Sequence, residues 1–131
     1  MRILLDTHIL IWILANNKSL SAHHKLILTD TSNEKIVSQF TFIELAIKIN
    51  IGKLPDFNEP MDKFMKQVEN DGFKILPINK KHIVAFASLP LVFGHRDPFD
   101  RFLIPTAVSE NMSIITLDEK FKAYQHLVKL L

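Results

Sequence analysis

The chain has 131 residues, 47% of them hydrophobic, and balances 16 Lys and Arg against 14 Asp and Glu for a formal charge of +2. That length suits one domain with one core, residues 1–131, and nothing in the composition marks disorder. So small a net charge does not by itself argue for a nucleic-acid surface, and zero cysteine excludes a disulfide framework or a thiolate metal site, consistent with a reducing compartment.

Arg2 to Asp6 reads as a short buried strand and Thr7 to about Ala15 as an apolar helix ended by Asn16-Asn17. The apolar run Ile9–Leu14 is far shorter than the roughly 20 residues that span a bilayer, and Asp6 and His8 interrupt the stretch before it. No small-residue cleavage site follows, so a soluble cytoplasmic protein without a membrane segment is expected. Trp12 lies in this helix, which is either fully buried or turned in part toward a subunit or a bound peptide. Ser21 to about Thr31 is the second helix, with Ser19 or Ser21 as cap. Lys35 to Ser38 is the second strand. Thr41 to Ile51 is a helix with Phe42, Leu45, Ala46 and Ile49 on one face and Gly52 as its C-terminal cap.

Pro55 to Pro60 forms a loop, and Met61 to about Asn70 a helix with Met61, Phe64, Met65 and Val68 on one side. Lys74 to Ile78 is the third strand and Lys80 to Ser88 the next helix. A loop from Leu89 to Arg96 leads into a helix from Pro98 to about Asn111. Ser113 to Leu117 is the fourth strand, Glu119 to Tyr124 a short helix, and Leu127 to Leu130 a candidate last strand. Strands alternating with helices predict an α/β fold of three layers with a mostly parallel central sheet.

In such sheets ligands bind beyond the carboxyl ends of the strands. Asp6 and Asp118 close two strands, Glu44 projects from the first turn of the helix after the second strand, and Asp100 opens the helix feeding the fourth. Ionised carboxylates packed together repel, and a cation or protons must neutralise some of them. Hard oxygen ligands suit Mg²⁺ or Mn²⁺, which points to metal-assisted phosphoryl chemistry by in-line attack of an activated water, with no histidine needed as base. Asp97 followed by Pro98 is a helix start, so Asp97 is read as the N-cap, with metal contact as its alternative, and Asp100 as the ligand.

The segments Ile3-Leu4-Leu5-Asp6-Thr7-His8, Ser38-Gln39 to Glu44-Leu45, His95-Arg96-Asp97-Pro98-Phe99-Asp100-Arg101 and Ile115-Thr116-Leu117-Asp118 occur in this order. Together they resemble the PIN-domain ribonucleases, specifically the small VapC-type toxins of prokaryotic toxin–antitoxin pairs. The resemblance spans essentially the whole chain, and Asp-Pro-Phe-Asp-Arg is its most specific part. It implies a metal-dependent endoribonuclease that uses Mg²⁺ or Mn²⁺ to cleave RNA, with Asp6, Glu44, Asp100 and Asp118 as the catalytic metal ligands. It further implies Thr7 and Thr116 as supporting hydroxyls beside those acids, a homodimer, and a groove filled by a cognate antitoxin. One departure is Pro105, which breaks an internal hydrogen bond of the helix and would kink it near Asp100 at a cost of roughly 3 kcal/mol.

The remaining polar residues say less. His23-His24 are adjacent and lack the spacing of a zinc helix, while His82 and His126 read as surface or satisfied core residues. His8 and His95 lie near the acids and read as solvated, with an RNA contact as the alternative. Lys48, Lys53, Arg96, Arg101, Lys120 and Lys122 are candidate phosphate contacts, and Lys48, Arg96 and Arg101 are taken as the RNA-phosphate set. Most of the ten Phe fall at apolar helical spacing, as core rather than as a base-stacking platform. Two other classes are weighed against the enzyme. A phosphoacceptor or haloacid-type phosphatase would want acid pairs that Asp6-Thr7-His8 does not supply. A non-catalytic PIN-like module that binds RNA or protein would share the shape without turnover.

Overall fold

A computed structural model describes residues 1–15, 20–92 and 94–131. Among them four strands form one sheet in the order β3-β2-β1-β4, where β1 is Arg2–Leu5, β2 Glu34–Ser38, β3 Lys74–Leu76 and β4 Ser113–Ile115. Every pairing is parallel, with Leu4 opposite Ile36 on one side and Ile114 on the other. Parallel strands need crossovers, and helices supply them: α1 Thr7–Leu14, α2 Ala22–Thr29, α3 Gln39–Asn50, α4 Met61–Asn70, α5 Lys80–Ala87 and α6 Pro98–Ser109. A 3₁₀ helix, Glu119–Tyr124, follows β4.

Alternation along the strands separates two cores. Ile3, Leu5, Val37 and Ile115 meet Ile9 and Leu10 of α1, Leu28 of α2, Phe42 and Leu45 of α3, and Phe64 and Val68 of α4. Leu4, Ile36 and Ile114 point the other way, onto Leu103, Ile104 and Ala107 of α6 and onto Phe121 and Tyr124. α5 packs against α6. The result is the expected α/β/α layering with a parallel sheet. Among the described residues no helix is long and apolar enough to cross a membrane.

Local chemistry explains where the elements depart from the sequence pattern. α3 starts at Gln39 rather than Thr41, because the Ser38 hydroxyl accepts from Phe40 N at 3.1 Å and caps the helix directly off the strand. Glu44 therefore stands in the second turn, not the first. Gly52, at φ +75°, ends α3 in a Schellman turn in which Lys53 N donates to Lys48 O at 2.9 Å. β3 stops at Leu76 instead of Ile78, as Pro77 cannot donate to a ladder. β4 stops at Ile115, two residues short of Leu117.

Leu127–Leu130 does not form a strand. Leu127 N and Val128 N both turn back to Tyr124 O, at 2.8 and 3.2 Å, leaving a single parallel bridge between Ile114 and Leu130. α6 runs unbroken through Pro105, and the Thr106 hydroxyl donates to Phe102 O at 2.8 Å in the next turn. Ser21 caps α2, accepting from His24 N at 3.1 Å. The alternative cap Ser19 and the helix end at Asn16-Asn17 lie outside the described residues.

Since β1 is flanked on both edges and covered on both faces, its side chains set the core. Leu4→Ala, at a position with no exposure, is expected to cost about 3 kcal/mol in urea unfolding. Ile83→Ala on the open face of α5 is expected to stay within about 0.5 kcal/mol. Equal losses for the two variants would contradict the core described above.

Candidate metal centre

The strand order places the chain's reversal at β1: β2 and β3 extend the sheet on one side, and β4 returns to the other. A crevice beyond the carboxyl ends of β1 and β4 follows from that topology. Asp6 is the residue after β1, held in register by its N–H donating to Ile115 O at 3.1 Å. Asp118 lies just past β4 and caps the 3₁₀ helix, its Oδ1 accepting from Lys120 N at 2.9 Å. Asp100 is in the first turn of α6, three residues after the Asp97 cap, and Glu44 reaches in from α3.

Hydroxyls orient these acids. Thr116 Oγ1 donates to Asp6 Oδ2 at 2.9 Å and accepts from Asp118 N at 3.0 Å, tying the two strand-end acids together. Thr7 Oγ1 donates to Glu44 Oε1 at 2.7 Å, and Lys48 Nζ lies 2.7 Å from Glu44 Oε2. Glu44 is thus fully partnered. Asp6 is not: only 1% exposed, it has no hydrogen-bond partner on Oδ1. A buried carboxylate oxygen left open is costly unless a proton or cation meets it.

The electrostatics say the same. Burial is the largest cause holding the Asp6 carboxyl above its usual range; Thr116 and His8 oppose it, and Glu44 and Asp118 add to it. Asp100 is pushed up to about 8, first by burial and then by the charges of Asp6, Asp97, Glu44 and Asp118. All four predicted acids therefore share one field. As they stand, no three His, Asp or Glu among the described residues converge closely enough to hold an ion. Glu44 is drawn aside to Lys48 and Thr7. The donor set nevertheless fits Mg²⁺ or Mn²⁺ chemically: oxygen ligands only, one open buried oxygen, and more negative charge than the site can keep ionised.

Other residues take different places than the pattern predicts. Asp97 is exposed and caps α6, its Oδ1 accepting from Phe99 N at 2.9 Å. Arg101 is no phosphate contact: it is buried, donates from Nη2 to Leu89 O at 3.1 Å and Pro90 O at 3.2 Å, and lies over the Phe86 ring. It anchors the loop that leads back to α6. Arg96 is exposed and Lys48 half-buried beside Glu44.

His95 is not solvated but 2% exposed, and burial holds its imidazole below its usual pKa. His8 is exposed, as expected. His82 is a satisfied core residue paired with Glu110 at 2.7 Å. Tyr124, unremarked in the sequence, bonds His95; only a residue whose partner lies 29 positions away could have signalled it.

Two hollows border the centre and the first helix. One of about 350 Å³ is lined by Thr116, Asp118, Lys122 and Gln125 together with His24 and Leu131, and so touches the centre at Asp118 alone of the four acids. A larger one of about 690 Å³ is walled by Ile11, Leu14, Leu54, Phe57 and Phe64. α1 is therefore not fully buried; its Ile11 and Leu14 face this groove, while Trp12 packs partly buried against the core.

The sequence profile described as PIN domain matches residues 3–127. No curated protein matches the chain. Among solved structures, VapBC2 from Rickettsia felis, bound to a DNA fragment from their promoter, is similar at 21% identity with a TM-score of 0.66. That match covers 100% of this chain and 98% of the other. VapBC-1 from nontypeable Haemophilus influenzae is similar at 19% identity and TM-score 0.63, covering 100% and 97%. VapBC-5 from Mycobacterium tuberculosis is similar at 15% identity and TM-score 0.62, covering 99% and 95%. At these identities the likeness is one of fold.

The raised Asp100 carboxyl gives a stability test with a defined sign. Between its ordinary value of 3.8 and its folded value of about 8, the folded chain keeps a proton that the unfolded chain has released. Stability in EDTA should therefore fall as pH rises through that window and level off above it. Asp100→Asn should flatten the slope and melt higher than wild type at about pH 9, by roughly 4 °C per kcal/mol recovered. Asp6, shifted in the same direction, accounts for the slope that remains. An unchanged slope would contradict the burial of charge at Asp100.

Proposed function

The chain belongs to the PIN domain family, and from that membership we propose that it is a metal-dependent endoribonuclease, hydrolysing RNA phosphodiester bonds as the toxin of a toxin–antitoxin pair. The observation that carries the reading is the open, buried Oδ1 of Asp6 at the sheet's switch point, in the shared field of Glu44, Asp100 and Asp118. Asp6, Glu44, Asp100 and Asp118 would hold Mg²⁺ or Mn²⁺. Bound there, the cation supplies charge neutralisation at the phosphoryl group and lowers the pKa of an attacking water.

The protein's own groups prepare that event. Thr116 occupies Asp6 Oδ2 and so leaves Oδ1 for the ligand position. Thr7 and Lys48 each hold one oxygen of the Glu44 carboxylate, fixing its orientation until a cation competes for it. The Asp100 carboxyl keeps its proton up to about pH 8 and must give it up on cation binding, so loading releases protons and tightens as pH rises. Lys48 beside Glu44 and exposed Arg96 would be basic groups for a phosphate, and the 350 Å³ hollow gives room beside Asp118.

The toxin reading rests on likeness to VapBC structures and on the apolar groove at Ile11, Leu14, Leu54 and Phe57. That groove suits an amphipathic segment of an antitoxin.

The test is cleavage of a labelled structured RNA pool by inhibitor-free protein in Mg²⁺, Mn²⁺ or EDTA. Wild type should cut only with metal, and Asp6→Asn and Asp100→Asn should each lose at least about a hundredfold in rate. Cutting that survives both substitutions would overturn the site. A folded wild type that binds RNA or a protein partner without turnover would instead be a non-catalytic module.

A further inference from the structure

We propose that Tyr124 and His95 form a buried hydrogen-bond relay whose end, the His95 Nε2–H, orients the Asp100 carboxylate, making His95 a positioning residue of the centre. The inference rests on reading Asp100 as a cation ligand.

Three observations lead to it. His95 Nδ1 lies 2.8 Å from the Tyr124 hydroxyl, and both side chains are buried. The other ring nitrogen, Nε2, has no hydrogen-bond partner, yet it lies 3.7 Å from Asp100 Oδ2. That is about 0.8 Å beyond an ordinary N–H···O bond, a gap that the relay requires the Asp100 carboxylate to close on loading. Packing alone accounts for the ring's contacts with Phe121 at 5.7 Å and Tyr124 at 5.2 Å. It does not account for a polar nitrogen left open toward an acid.

The tautomer follows from donor arithmetic. A buried phenol needs an acceptor for its hydrogen, and His95 Nδ1 is the hydroxyl's hydrogen-bond partner among the described residues. With Nδ1 accepting, the neutral ring carries its hydrogen on Nε2, facing Asp100. Metal-ligating carboxylates are in turn held by such outer hydrogen bonds.

The backbone fixes the parts in register. His95 closes a turn in which its N–H donates to Val92 O at 3.1 Å and Gly94 takes φ +83°. Two residues later Asp97 caps α6, setting the distance from His95 to Asp100. Tyr124 ends the 3₁₀ helix that Asp118 begins. One short element thus carries an acid of the centre at its start and the anchor of the relay at its end.

The test compares wild type with His95→Leu, His95→Gln and Tyr124→Phe by calorimetric titration of Mn²⁺, with thermal melting alongside. A long-range ¹H–¹⁵N spectrum reads the ring nitrogens, His95 being assigned by the signals that His95→Gln loses. We expect hydrogen on Nε2 in wild type. His95→Leu should bind Mn²⁺ about tenfold more weakly, the lower end for loss of an outer-shell partner. His95→Gln, which restores an N–H donor, should recover most of that loss, and Tyr124→Phe should fall between. Hydrogen on Nδ1, or variants that melt lower but bind Mn²⁺ as wild type does, would overturn the relay. A folded wild type that binds no Mn²⁺ would overturn the metal centre itself and the relay with it, a result distinct from both.

Discussion

Buried negative charge at the carboxyl edge of β1 and β4 is the constraint on which the rest of this structure depends. Asp6 and Asp100 are both buried, and burial first, then the charges of Glu44 and Asp118, hold each carboxyl above its usual range, with Asp6 and Asp97 adding to the shift of Asp100. Lys48 sits against Glu44, which leaves the other acids to be neutralised by protons or by a cation. A fold selected only for stability would replace such a cluster with apolar side chains. Its retention at a topological switch point is the physical case for a working centre.

The scaffold holds this strained edge by concentrating structure around it. β1 pairs on both sides and buries Ile3, Leu4 and Leu5 completely, so the residue that follows, Asp6, has little freedom. α6 combines several tasks in its first turn. Asp97 caps it, Pro98 sets its first residue, Asp100 faces the acids, and Arg101 reaches back to Leu89 and Pro90 to hold the incoming loop. Pro105, further along, leaves the helix continuous. The buried side chains around it, from Phe102 to Ala107, pack the helix in place and offset the missing hydrogen bond.

How much of this was legible in the sequence depends on the range of the interaction. The strand–helix order, the parallel layering and the gathering of Asp6, Glu44, Asp100 and Asp118 follow from local signals: apolar runs ending in acids, and caps opening helices. The supporting hydroxyls Thr7 and Thr116 are expected from the family resemblance, while the acids they hold, Glu44 and Asp6, lie 37 and 110 positions away. What escaped was settled at long range. Arg101 reads as a free cation until the carbonyls it anchors are known. His95 reads as solvated until Phe121 and Tyr124 close over it. The start of α3 turned on a single hydroxyl, Ser38, and the missing last strand on two amides that turn back to Tyr124. Periodicity carries neither.

The central claim is that the open oxygen of Asp6 and the proton-holding carboxyl of Asp100 together receive a divalent cation. A crystal structure of the Mn²⁺-soaked protein, with anomalous scattering collected for manganese, tests it most directly. The account predicts an anomalous peak bonded to Asp6 Oδ1, with Asp100 rotated to share it. A fully occupied Mn²⁺ elsewhere, or none at saturating concentration while Asp6 and Asp100 share a proton, would contradict it.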